Sequence, residues 1–366
     1  MRSVSEHATS LVPDVPESPC VAVDVDRVRE NIQAMQRRAD ECGVDLWPHV
    51  KTHKIPEIAR WQLEAGAAGL TCAKISEAEV LLASGAKRMF LAFGLVDERL
   101  APRLRRIADS LDELRLAVTG GAMLNAIERV VASAGLAEMP VMLAVDTGLD
   151  REGVRSPEEG AAVAKEIAAS RTLRLAGLYT HEGMAYGESD ATMIAQRAFE
   201  RIDAVRRAID PQLPVWPGCS VTARDVASLS GVGAIRPGTY VFGDLLLAQA
   251  TGSTASWAAK VISTVVDRPR PGLALIDAGS KTLALDRTRD GIHARSADGR
   301  DLEVFRCSEE HGFLRGEDVD RLEVGERLAL IPAHICPVIN LASKVAFVRE
   351  GRFERWVEVA ARGCVV

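Results

Sequence analysis

The sequence predicts an α/β protein: a (β/α)8 barrel of the TIM type followed by a second, mainly β domain. Three observations predict it. From residue 44 onward eight short apolar runs alternate with longer segments of helical period. After about residue 250 the helical texture gives way to β-rich runs broken by Gly, Pro and Asp-Gly. A chain of 366 residues, 47% hydrophobic, is long enough to bury a large core.

In chain order the runs are "VDLWPHVK", "GLTCA", "RMFLAF", "LRLAV", "VMLAVD", "LAGLYTH", "VWPGCS" and "AIRPGTYVF". Between them, stretches such as "EAEVLLASGA" and "EEGAAVAKEIAAS" place Ala, Val, Leu and Ile at three- and four-residue spacing with charge opposite, as an outer ring of helices requires. "RVRENIQAMQRRADE" reads as the first of these helices. The strand "CVAVDV" precedes it and is free to pair with the second domain instead of closing the barrel. Downstream, "WAAKVISTVVDRP", "LALIDAG", "LEVFRCS", "ERLALIPAHICPVINLASKVAFVR" and "RWVEVAAR" are the β runs. The expected division is residues 26–248 for the barrel, with 1–25 plus 249–366 forming the second domain.

Composition excludes several function classes. A net charge of -6, with no basic block and 4% aromatic residues, does not suit nucleic acid. The stretch "MRSVSEHATSLVPDVPESPC" has no continuous apolar core and carries Glu6, Asp14, Glu17 and three prolines, so neither a signal peptide nor a membrane span is expected, and the cytoplasm is the expected compartment. Seven scattered cysteines without CxxC spacing predict buried thiols rather than disulfides. A small-molecule substrate remains.

Barrel chemistry sits at the carboxyl ends of the strands. The first run ends in His49, Lys51 and His53, the fifth in "VDTGLDREGV" with Arg151, the sixth in "YTHEG" with His181, the seventh in "GCSVT" with Ser220, and the eighth carries Arg236 and Gly238-Thr239-Tyr240. Strand alternation would send Trp47, His49 and Lys51 to one face, placing Lys51 in the barrel mouth. A lysine there either snorkels as a cap or is paired, deprotonated or used covalently; a lysine with a depressed pKa is what Schiff-base chemistry needs. "PGCSVT" and "RPGTY" combine glycines with hydroxyls at the strand ends where these barrels bind phosphate. Either motif alone fits a plain turn; together, opposite a lysine, they point to pyridoxal 5′-phosphate (PLP). His49, His53, His181 and His311 are the candidate proton carriers, each equally readable as a structural hydrogen-bonder, with His181 preferred for its place at a strand end.

"PAHICP" sets His334 and Cys336 two residues apart, on one face of an expected strand, where both reach one ion. Imidazole with thiolate favours zinc over magnesium. The bland alternative is a buried thiol beside a surface histidine.

The motifs "SPCVAVDVDRVRENI", "PHVKTHK", "VDTGLDREGV", "GLYTHEGMAYG", "IRPGTYVFGD", "DAGSKTLALD", "EEHG" and "PAHICPVINL" resemble the D-threonine aldolase and eukaryotic-type D-serine dehydratase family, fold-type III PLP enzymes with a barrel like that of alanine racemase. The resemblance runs from about residue 16 to the end. It implies a homodimer, Lys51 rather than Lys54 as the PLP lysine, Arg151 near the phenolic oxygen, and His181 near the ring. It places Arg236 or Tyr186 at the pyridine nitrogen, and Ser220, Gly238, Thr239 and Tyr240 at the phosphate. Relatives commonly read Gly-Ser-Thr-Pro-Thr where this chain has "GCSVT". It also implies a divalent metal on His334 and Cys336: members that break the carbon–carbon bond tend to show HxD with manganese or magnesium, dehydratases HxC. The reading is therefore a lyase acting on D-β-hydroxy amino acids, by β-elimination to a 2-oxo acid and ammonia, with retro-aldol cleavage as the alternative. A two-base racemase would need a tyrosine in the second domain, but the tyrosines are 179, 186 and 240. A non-catalytic PLP-binding protein would lack that domain.

Overall fold

In the structure, a computed structural model, residues 12–187 and 190–366 are described. Residues 1–11, expected to join the second domain, lie outside them. The chain divides into two compact units, one comprising residues 1–31, 241–248 and 253–362, the other 32–240, 249–252 and 363–366.

The larger unit is built on eight parallel strands: β2 (Asp45–Leu46), β3 (Leu70–Cys72), β4 (Arg88–Gly94), β5 (Glu113–Val118), β6 (Met139–Ala144), β7 (Leu173–Tyr179), β8 (Val215–Trp216) and β9 (Ala234–Ile235). Strands β3 to β8 form one parallel sheet in sequence order, and β2 pairs with β9. Isolated parallel bridges, His49 with Thr71 and Val215 with Val232, link the two sheets at both margins. Helices alternate with the strands, among them Pro56–Glu64, Ala101–Asp109, Gly121–Ser133, Pro157–Ala169 and Ala191–Ile209. Ser156 caps Pro157–Ala169 by accepting from the Glu159 N–H, with Pro157 in the first turn where no N–H is needed.

Three strands are shorter than the apolar runs promised. The runs ending in His49–Lys51, "GCS" and "TYVF" give only two strand residues each; Pro217 follows β8 directly, and Pro48 and Pro237 stand one residue beyond β2 and β9, where a proline has no N–H to donate, although the His49 N–H still reaches the Pro237 carbonyl at 2.9 Å. Lys51 accordingly lies in a 3-10 turn, Val50–Thr52, not on a strand.

Inside these strands the core is aromatic. Trp47 and Trp216 lie 4.6 Å apart between centroids, and Phe90 meets Tyr179 edge-on at 5.1 Å. The Arg115 guanidinium stacks on Trp216 at 4.4 Å and that of Arg236 on Tyr179 at 5.1 Å, so the cluster carries two cations on ring faces.

The other unit holds a nine-stranded sheet, ordered β11-β14-β13-β12-β15-β10-β1-β16-β17, from β1 (Cys20–Asp24), β10 (Ala259–Arg270), β11 (Leu273–Ile276), β12 (Ala294–Ser296), β13 (Glu303–Cys307), β14 (Gly312–Arg315), β15 (Arg327–Pro332), β16 (Lys344–Arg349) and β17 (Arg352–Glu358). The early strand β1 pairs with β10 and β16 of this sheet. The run "PAHICPVINL" is not strand: β15 stops at Pro332, His334 caps a helix over Ile335–Leu341, and Cys336 lies in its first turn. Among the described residues no helix is long and apolar enough to cross a membrane.

The loop after β6 folds back on its own strand. Val145 bridges Val154, and the Asp146 carboxylate accepts from the N–H groups of Gly148, Leu149 and Asp150. Gly153 closes this loop at φ +111°, where a Cβ would lie 2.7 Å from the Asp146 nitrogen. Gly153→Ala should therefore lower the unfolding free energy by about 1–3 kcal/mol, read as a shifted urea midpoint at unchanged slope; an unchanged midpoint would show that the loop yields without strain.

Candidate functional site

Two lysines lie within four positions of each other and meet different environments. Lys54, at φ +56° and 6% exposed, has its ammonium 3.9 Å from the buried Glu77 carboxylate and donates to the Cys364 carbonyl at 3.3 Å. Lys51 is half-buried and, among the described residues, has neither hydrogen bond nor ion pair. Its charge is felt by three groups, His49, His181 and Glu77.

The turn that carries Lys51 is fixed from below. Thr52 and His53 are fully buried. The Ile55 N–H donates to His53 Nδ1 at 3.1 Å, so the ring proton is on Nε2, which donates to Gln62 Oε1 at 3.3 Å. Gln62 in turn donates to the Tyr240 hydroxyl at 2.9 Å. A chain of side chains thus ties the lysine turn to the Gly238–Tyr240 loop.

That loop meets the one after β8. The Ser220 hydroxyl oxygen accepts from both the Gly238 and the Tyr240 N–H groups, each at 3.1 Å, so two backbone donors converge on one oxygen as they would on an anion. The Tyr186 hydroxyl donates to Thr239 Oγ1 at 3.3 Å. A Cβ on Gly238 would lie 2.8 Å from Thr52 Oγ1 and 3.0 Å from the His49 carbonyl oxygen, so only glycine brings this backbone beside the lysine turn.

Arg236 is buried, and its guanidinium donates to the Thr180 carbonyl at 2.5 Å and to that of Trp216 at 3.3 Å. Burial lowers its pKa to about 10. Arg151 is exposed and pairs with Glu152 at 3.0 Å; both line a recess with Thr147, Tyr179 and His181. Burial, then the Lys51 charge, holds His181 down at about 3 and His49 well below the usual imidazole range. His181 Nδ1 lies 2.5 Å from the Gly218 carbonyl oxygen, which can only accept, so Nδ1 carries the proton and Nε2 the lone pair. His49 Nδ1 and the Tyr179 hydroxyl are buried without a partner among the described residues.

The structure thus brings His49, Lys51, His181, Arg236 and the Ser220 and Gly238–Tyr240 loops together in one unit. His334 and Cys336 belong to the other. There His334 Nδ1 meets Asp286 Oδ2 at 2.5 Å, and the Asp244 carboxylate accepts from the Ile335 and Leu247 N–H groups at 3.1 and 2.8 Å. Burial would lower His334, but Cys336, Asp244 and Asp286 outweigh it and raise its pKa to about 10. Burial raises that of Asp244 to about 6. Among the described residues no three His, Cys, Asp or Glu side chains converge as a complete metal cage. His311 has no place in either cluster among the contacts described. Glu182, Asp244 and Asp286 were not singled out in the sequence, although "THEG", "VFGD" and "LALD" end on or contain them; an isolated carboxylate has no periodicity to betray it.

Comparison with known proteins follows this geometry. The pattern of the family described as "Alanine racemase, N-terminal domain" matches residues 23–245, and that described as "Putative serine dehydratase domain" matches 258–348. The chain is 31% identical to a D-threo-3-hydroxyaspartate dehydratase of a Delftia species, over 93% of this chain and 96% of that one. Among solved structures it resembles D-threonine aldolase of Filomicrobium marinum, with a TM-score of 0.86, 27% identity and 96% of each chain covered. It also resembles a D-threo-3-hydroxyaspartate dehydratase variant with alanine in place of a cysteine, in a metal-free form, with a TM-score of 0.83, 26% identity, and 93% and 97% covered.

The neutral histidines set a pH dependence. In the unfolded chain each binds a proton below about 6.5, whereas folded His53 and His181 do so only near about 4 and about 3. The unfolded state therefore holds more protons through this window, and stability falls as pH drops from 7 toward 4. His53→Gln should make that fall shallower when urea midpoints are measured across the range; an identical slope would mean that His53 titrates normally in the folded protein.

Proposed function

Because the chain belongs to the alanine racemase N-terminal-domain family and continues into a serine dehydratase domain, we propose that this PLP-dependent lyase eliminates water from D-amino acids bearing a β-hydroxyl, giving a 2-oxo acid and ammonia. The observation that carries the reading is the Lys51 side chain, without a partner among the described residues, near two histidines held neutral and a pair of loops with converging N–H donors. Retro-aldol cleavage to glycine and an aldehyde is the second reading, favoured by the resemblance to a D-threonine aldolase.

The residues present fit PLP. Lys51 would hold it covalently, Ser220, Gly238, Thr239 and Tyr240 its phosphate, and Arg151, Tyr186 and Arg236 its ring. Bound there, the cofactor supplies an electron sink for charge developing at the substrate Cα. Lys51 Nζ would serve as the general base for the substrate α-proton. His181, neutral with its lone pair on Nε2, accepts a hydrogen bond and gives no proton. The aromatic floor of Trp47, Phe90, Tyr179 and Trp216 keeps water from the inner side. His334 and Cys336 fit a divalent metal, zinc by the softness of the thiolate, supplying Lewis acidity toward the departing hydroxyl. With Asp286 on Nδ1, His334 would ligate through Nε2. The metal-free form of the cysteine-substituted dehydratase supports a cysteine ligand in that relative.

The same reading takes the eight parallel strands as one closed barrel, supported by the bridges at both margins, with boundaries near 26–248, and the protein as a cytoplasmic homodimer.

Incubation with D-threonine, with and without a chelator, tests the reaction. Chelator-sensitive 2-oxobutyrate and ammonia are expected; glycine and acetaldehyde would make it an aldolase. Borohydride reduction of the loaded protein should label the Lys51 peptide in wild type and leave Lys51→Ala unlabelled. Cys336→Ala should lose bound metal by elemental analysis and at least about 90% of turnover while retaining PLP; full turnover after metal stripping would remove the metal from the mechanism.

A further inference from the structure

We propose that Glu182 is a positioning residue for the phosphate loop: its carboxylate holds the Gly218 N–H while the adjacent His181 ring holds the Gly218 carbonyl, setting both the loop that carries Ser220 and the tautomer of His181. The inference rests on the PLP reading above and deepens it, since neither the proposed chemistry nor the sequence motifs gave Glu182 a part.

Glu182 has no exposed surface. Its Oε2 accepts from the Gly218 N–H at 3.2 Å and from the Thr222 hydroxyl at 3.1 Å, and Oε1 lies 3.4 Å from the same N–H. One carboxylate therefore anchors both ends of the five-residue loop 218–222. From the other side, His181 Nδ1 donates to the Gly218 carbonyl at 2.5 Å. The two peptide units that flank the Gly218 Cα, one held at its N–H and the next at its C=O by consecutive residues after one strand, cannot turn without breaking those bonds. Gly218 is also held sterically: a Cβ there would lie 2.6 Å from Arg236 Nη2.

The position of this loop is passed on. Ser220, in its middle, receives the Gly238 and Tyr240 N–H groups, so a shift at Gly218 moves the second phosphate loop too. A carboxylate suits the task because it only accepts, and both groups facing it donate. Burial raises the Glu182 carboxyl, and the charge of the nearby Arg236 offsets that in part. In fixing the Gly218 carbonyl, Glu182 also fixes where the His181 proton sits, leaving Nε2 as the acceptor.

The test compares PLP with pyridoxal, which lacks the phosphate, as ligands of the apoprotein, by absorbance titration on wild type, Glu182→Gln, Glu182→Ala and Thr222→Val. Wild type should prefer PLP strongly. Glu182→Ala should weaken PLP roughly tenfold or more, the size of a lost hydrogen bond to a charged acceptor, while changing pyridoxal affinity less than about twofold. Glu182→Gln, which keeps one acceptor oxygen, and Thr222→Val, which removes one donor, should fall between. Should Glu182→Ala fail to fold, those two carry the test. Nitrogen-15 histidine spectra should show the Nδ1–H form of His181 in wild type and its loss in the Glu182 variants. A PLP-to-pyridoxal preference equal to wild type in the variants would overturn the positioning role while leaving the enzyme reading intact. A wild type that binds neither ligand would overturn both.

Discussion

The constraint on which the strand ends of the larger unit depend is the burial of the Arg236 guanidinium. A cation out of water without compensation costs several kcal/mol, and among the described residues Arg236 makes no direct ion pair. Its direct contacts are accordingly acceptors and electron-rich faces. The carbonyls of Thr180 and Trp216 take its protons, the rings of Tyr179 and Phe90 lie 5.1 and 5.5 Å from it, and Glu182 acts on it through space. The bonds to Thr180 and Trp216 draw the ends of β7 and β8 toward the segment after β9, so one side chain holds three strand ends in register. No residue larger than glycine fits at 218 while it stays there.

Burial first, and the positive charge around them second, explains the histidines. His49 and His181 are buried in the field of Lys51, Arg236 and Arg151, and each of these cations disfavours a further proton. The rings are thereby committed to being neutral, and the partner of each nitrogen decides what it does: Nδ1 of His181 is spent on Gly218, while Nδ1 of His49 has no partner among the described residues. Lys54 shows the contrast. It has an acidic partner, Glu77, and a backbone carbonyl, and its positive φ bends the chain into the helix Pro56–Glu64. Two lysines three positions apart thus divide the work, one closing the turn and the other left with a charge to place.

How much of this was legible in the sequence follows from what periodicity can carry. Strands β3 to β7 and the helices between them announce themselves because several residues repeat a pattern against one core. Strands β2, β8 and β9 were overextended because an apolar run does not reveal how Pro48, Pro217 and Pro237, each lacking an N–H, thin the pairing beyond two residues. The same blindness put His334 and Cys336 on a strand. Pro332 ends that strand, and Pro337, harmless in a first helical turn, allows a helix to start in between. The pair is brought together by a helix cap instead of by strand alternation. Lys51, Ser220 and Gly238–Tyr240 drew attention because they sit in Gly-rich or basic clusters; Glu182, Asp244 and Asp286 did not, because each bonds to groups far away in sequence.

The two readings of the reaction differ in the traffic of one proton at the β-oxygen. Aldol cleavage needs that oxygen to lose its proton; elimination needs the oxygen to leave, which a proton or a Lewis acid must assist. His181, with Nδ1–H tied to a carbonyl and a pKa of about 3, is able to take a hydrogen bond and unable to supply a proton near neutrality. That residue therefore favours neither direction: so weak a base does not take the β-hydroxyl proton, and the neutral ring does not give one. On the proposed reading, assistance to the leaving oxygen falls to the other unit, where Asp286 orients the His334 imidazole. A relative that breaks the carbon–carbon bond and one that removes water resemble this chain to a similar degree over nearly its whole length, so overall likeness does not separate the two reactions. What separates them is whether the softer thiolate at Cys336 assists departure of an oxygen that a carboxylate-ligated metal would instead hold in place for deprotonation.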